Sequence, residues 1–144
     1  MLKWTRERPV LWILAVMLIL GAILSFLSPF FLTVPNLTNL LKQVSILGLL
    51  AAGQTLVIIS RGIDLSVASI LALCAVVMGG LMSQMGLPPG IALPAGIALG
   101  GLVGAINGLV IVKTGIPPFI ATLGMMGIAR GLALVYTQGV SFQL

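Results

Sequence analysis

The chain has no histidine, a single cysteine and only two acidic residues in 144, and these scarcities exclude much chemistry at the outset. A nucleophile needs a base beside it, and a metal needs clustered His, Cys, Asp or Glu ligands. An intramembrane enzyme is therefore a weak reading, and neither a metal nor a cofactor is expected. Cys74 stands inside an apolar run without a second cysteine to pair with, so there is no disulfide framework. It reads as a small buried core residue. Charge of either sign is rare, at 6% of residues. The net charge of +5 would suggest nucleic acid in a soluble chain, but the basic residues are scattered singly and make no basic face, so no nucleic-acid partner is expected.

What the chain has in abundance is apolar sequence. Hydrophobic residues make up 60% of it, and the mean hydropathy is +1.28. Uncharged runs long enough to cross ~30 Å of hydrocarbon predict an all-α, polytopic membrane protein with about five spans, occupying residues 1–144 as part of one membrane domain. The spans are expected at about 10–27, 44–60, 65–82, 90–112 and 119–136. Ahead of the first stand Lys3, Arg6, Glu7 and Arg8. A basic start before an apolar run also describes a signal peptide, but this run is long, lacks a small-residue cleavage pattern and is followed by further spans. It reads as a retained helix. After Pro35, Asn36 is placed to cap a surface-lying lead-in helix before the second span. A proline pair, Pro117 and Pro118, opens the fifth span where missing backbone donors do no harm.

Between the second and third spans lies Ser60-Arg61-Gly62-Ile63-Asp64-Leu65-Ser66-Val67, which holds the only acid after Glu7. The segment reads as a tight turn at the membrane surface. Gly62 is expected to supply the freedom to reverse, and Asp64 to act as N-cap of the third span, accepting from the amide of Ser66 or Val67. The alternative for Asp64 is an ion- or proton-coupling carboxylate of a secondary transporter. In the fourth span Ala92, Gly96, Gly100, Gly104 and Gly108 recur every four residues, a stripe that predicts close helix packing. Gln54, Thr55, Asn107 and Arg130 stand out among the polar residues inside spans. Interhelical hydrogen bonding is the first reading of Gln54, Thr55 and Asn107, and lining a solute path is the second. A guanidinium well inside the fifth span is costly unless it faces carbonyl groups or a wet cavity, so Arg130 is a candidate pathway residue.

Thr55-Leu56-Val57-Ile58-Ile59, then Gly62-Ile63-Asp64-Leu65-Ser66-Val67, Asn107-Gly108, Pro118-Phe119-Ile120-Ala121-Thr122-Leu123-Gly124 and Arg130-Gly131 before Val135-Tyr136-Thr137 follow one another in order. As a set they resemble the membrane permease of ribose-type ABC sugar importers. The resemblance implies a bacterial inner-membrane, multi-pass subunit without catalytic residues, which forms the translocation path by alternating access. It also implies a second permease copy or homologue, a cytoplasmic ABC ATPase and an extracytoplasmic sugar-binding protein as partners. Two residues depart from the family pattern, which has glycine at the position of Ala68 and a small residue at that of Arg61. Permeases of this family are roughly twice as long, so the chain is expected to correspond to an N-terminal half. A half-size secondary transporter or a structural membrane subunit are the competing readings.

Lys3, Arg6, Arg8, Arg61 and Lys113 fall at one set of span ends and only Lys42 at the other, which predicts a cytoplasmic N-terminus. Reporter fusions after Lys113 are expected to read cytoplasmic, and fusions after Gln138 extracytoplasmic. The same side for both would make the fifth span re-entrant.

Overall fold

The computed structural model describes residues 9–140. The tail charges Lys3, Arg6, Glu7 and Arg8, and residues 141–144, lie outside that range. The described residues form five helices and no strand: α1 (Pro9–Leu27), α2 (Val34–Ile59), α3 (Val67–Ser83), α4 (Pro89–Thr114) and α5 (Pro118–Thr137). All of them except α3 are long and apolar enough to cross a membrane. The protein is an all-α, polytopic membrane protein. At 17 residues, α3 rises only about 26 Å, less than the ~30 Å of a hydrocarbon core.

Two compact units divide the chain, residues 1–49 and 50–144. In the first, α1 shows apolar side chains on every face, including Trp12, Leu18 and Phe26. The expected lead-in helix and second span are one continuous 26-residue helix, α2. Pro35 falls in its first turn, where a missing N–H costs nothing, and the next residues hold no break. Asn36 is consequently inside the helix and does not cap it; its Nδ2 donates to the Phe31 carbonyl at 2.6 Å.

The second unit is built around α3, which packs against both α4 and α5. Along α3 and α4 the facing pairs are Ser66 with Asn107, Cys74 with Gly100 and Met78 with Gly96, so the two helices are antiparallel. Along α3 and α5 they are Leu65 with Thr122 and Gly80 with Tyr136, so these two are parallel neighbours. Small residues make the approach possible: Ala129 and Ala133 receive Leu73 to form the apolar core, and a Cβ on Gly80 would overlap the Tyr136 ring.

The glycine stripe of α4 does not keep to this contact. A Cβ on Gly96 would collide with the Met78 side chain, and one on Gly100 would touch Cys74 Sγ at 3.4 Å. At Gly104 and Gly108 a Cβ would meet nothing within 4 Å among the described residues. The reason is the helical repeat: each four-residue step overshoots one turn by about 40°, so Gly108 lies about 160° around from Ala92. The buried face runs instead through Ala92, Gly96, Val103 and Asn107. Gly96→Leu is expected to cost about 1–3 kcal/mol by overpacking, whereas Gly104→Leu should stay within about 0.5 kcal/mol of the parent. Chemical unfolding in detergent micelles measures both, and equal losses would show that Gly104 is also packed.

Candidate functional site

The turn after α2 is set by a non-glycine residue in the left-handed region. Arg61 has φ 61°, a conformation that costs a side-chain-bearing residue about 1–2 kcal/mol. It is held there by a closing pair of bonds, Arg61 N–H to the Ile58 carbonyl at 2.9 Å and Gly62 N–H to the Val57 carbonyl at 3.0 Å. This is the Schellman pattern, which satisfies two carbonyls that a helix end leaves open. Gly62, expected to supply the reversal, has a different part: a Cβ there would stand 3.3 Å from Val57 Cγ1 and 3.7 Å from Pro118 Cβ. Its value is space against Val57 at the end of α2, while Arg61 carries the strained torsion.

Beyond Gly62 the chain runs non-helically to Ser66, and buried side chains from three helices tie it down. Ser66 is fully buried and is the N-cap residue of α3. Asp64, expected at that cap, lies two residues earlier. Its Oδ1 accepts from the Ser66 N–H at 2.7 Å and from the Ser66 Oγ at 2.6 Å, closing an Asx-type turn. The Ser66 hydroxyl in turn accepts from Asn107 Nδ2 of α4 at 3.0 Å. Gln54 Nε2 of α2 donates to the Asp64 carbonyl at 3.0 Å. From α5, Thr122 Oγ1 accepts from the Leu65 N–H at 3.1 Å and stands 3.2 Å from the Ile63 carbonyl.

The depth of this knot differs from the surface turn expected. Asn107 lies seven residues before the end of α4 at Thr114, which places Ser66 about 10 Å inward from that end. Non-helical backbone is tolerated at such depth only when protein or a wet cavity satisfies its polar groups. Asp64, Gln54, Asn107 and Thr122 do that here. Of the pathway candidates, Gln54 and Asn107 thus direct their donors at the turn. Thr55 is exposed and donates to the Ala51 carbonyl of its own helix at 2.7 Å. Arg130 stands apart from all three. It lines a cleft of about 400 Å³ between α3 and α5 with Ala68, Ser69, Ala72, Val76 and Thr137.

These elements can be set beside known proteins. A family model described as branched-chain amino acid transport system / permease component matches residues 36–143. The chain belongs to this permease family. The ribose import permease protein of Escherichia coli (strain K12) is 44% identical over 126 residues, covering 88% of this chain and 39% of that protein. That of Bacillus subtilis (strain 168) is 49% identical over 121 residues, covering 84% and 37%. The fructose import permease protein of Rhizobium meliloti is 41% identical over 128 residues, covering 89% and 34%. The chain thus spans under two fifths of the length of the curated relatives it matches. No solved structure matches it.

Sequence reasoning alone missed Thr122, which is only 2% exposed. A threonine in an apolar helix ordinarily bonds the carbonyl four residues back, and Thr122 does so to Pro118 at 2.9 Å. Only the fold reveals that its lone pair serves the Leu65 amide as well. Ser66→Ala would leave the Asn107 amide buried without its acceptor, a loss expected at about 1–3 kcal/mol. In a double-mutant cycle with Asn107→Leu, the two losses should be less than additive by at least 0.5 kcal/mol. Strict additivity in detergent unfolding would show that the Ser66–Asn107 bond does not form.

Proposed function

We propose that the chain is a permease subunit of a binding-protein-dependent ABC importer for a ribose-like monosaccharide. It sits in the bacterial cytoplasmic membrane with its N-terminus inside, beside a second permease copy or homologue. A cytoplasmic ABC ATPase supplies the energy, and an extracytoplasmic binding protein delivers the sugar. The observation that carries this reading is the 44–49% identity to ribose import permeases over most of the chain.

The geometry supports it in two ways. A short α3, entered through a pinned non-helical segment and flanked by two longer helices, is a body that can shift as a unit between outward- and inward-open states. The competing secondary transporter needs a carboxylate free to titrate in the path. Asp64, the one acid among the described residues, has its Oδ1 engaged by both donors of Ser66.

Affinity-tagged chain, solubilised from its host's membranes in mild detergent, is expected to bring down an ABC ATPase and a second permease chain, identified by mass spectrometry. Loss of the gene should abolish ATP-dependent uptake of labelled D-ribose or a related sugar. Recovery without an ATPase, together with uptake that follows the proton gradient, would overturn the importer reading in favour of a secondary transporter.

A further inference from the structure

In the second unit Arg130 lines an open cleft at the level of a span. Arg130 lies twelve residues into α5 and seven from its end, about 18 Å along the helix from Pro118. A lone guanidinium against hydrocarbon is too costly to persist, so the open side of the cleft faces water or a polar solute. The lining is graded. Arg130 brings up to five donors in a planar fork and Ser69 a hydroxyl, while Ala68, Ala72 and Val76 make a low apolar wall. Thr137 closes one end; its hydroxyl donates to the Ala133 carbonyl of its own helix, 3.1 Å away, and accepts from the Gly139 N–H at 3.2 Å. Its volume of about 400 Å³ falls in the ordinary range for small-ligand sites.

We infer that this cleft is a contact site for a neutral sugar on the translocation path, an inference that rests on the importer reading above. Adjacent ring hydroxyls accept from the fork of Arg130, Ser69 exchanges a hydrogen bond with a third, and the C–H face of the ring lies on Ala68 and Ala72. The guanidinium offers its fork of donors to acceptors, and neutral hydroxyls satisfy it weakly enough for release.

The test needs only the chain in membrane vesicles. In a Cys74→Ala background, Ala72→Cys and, separately, Ala68→Cys are treated with a charged, water-soluble methanethiosulfonate. Both are expected to react at least tenfold faster than Leu102→Cys on the exposed side of α4. Millimolar D-ribose or D-fructose should slow the reaction at least threefold, inorganic phosphate should not, and Arg130→Gln should remove the protection. Labelling no faster than at Leu102 would show a cleft closed to water. Protection by phosphate alone would assign it to an anion, and protection by neither sugar would remove the sugar contact. Each of those results overturns the inference, and none depends on whether an ATPase co-purifies, so failure here is distinguishable from failure of the importer reading.

Discussion

Everything in the second unit depends on how five residues of non-helical backbone, Gly62 to Ser66, are kept satisfied inside an apolar bundle. Lipid offers such backbone no partners, so each exposed amide or carbonyl would cost several kcal/mol. The solution is a small set of short polar side chains, each from a different segment. Asp64 folds the strand back on its own amide at Ser66, Asn107 reaches in from α4, Thr122 from α5 and Gln54 from α2. Because Ser66 and Asn107 are both buried, the bonds are made in a low-dielectric setting where breaking one leaves a group with no water to turn to.

This pinning also sets the registers of the bundle. With Ser66 fixed on Asn107 and Leu65 on Thr122, α3 must leave the knot antiparallel to α4 and parallel to α5. Small residues then let the helices close: Gly96 admits Met78 and Gly80 admits the ring of Tyr136. The contact between α3 and α5 is closed along Leu73, Ala129 and Ala133, and beside it Ala68, Ala72 and Arg130 line a cleft.

The membership of the permease family and the geometry bear on different questions. Relatedness to ribose and fructose import permeases says which class of transport to expect. The hydrogen bonds say which residues hold the scaffold, and they separate Gln54 and Asn107, whose donors serve the turn, from Arg130, which faces open space. Residue type had already set the costly guanidinium apart from the two amides; the partners of Gln54 and Asn107 are what the fold adds.

Sequence by itself determined the class and most element boundaries, because an apolar run of sufficient length has one stable state in lipid and because Gly and Pro clusters end helices wherever they occur. It also determined that Asp64 would serve the start of α3, since an aspartate beside a helix start has few other partners. It could not place the cap one residue pair later, at Ser66, nor foresee that α2 begins before Asn36. Both depend on where the backbone finds its bonds. The four-residue stripe was legible as packing, but which glycines pack was not: a period of four drifts around a helix of 3.6 residues per turn, and only the partner's position decides where the drift leaves contact. Thr122, the depth of the turn and the cleft at Arg130 belong wholly to the tertiary structure, because each arises from residues more than forty positions apart meeting across a helix pair.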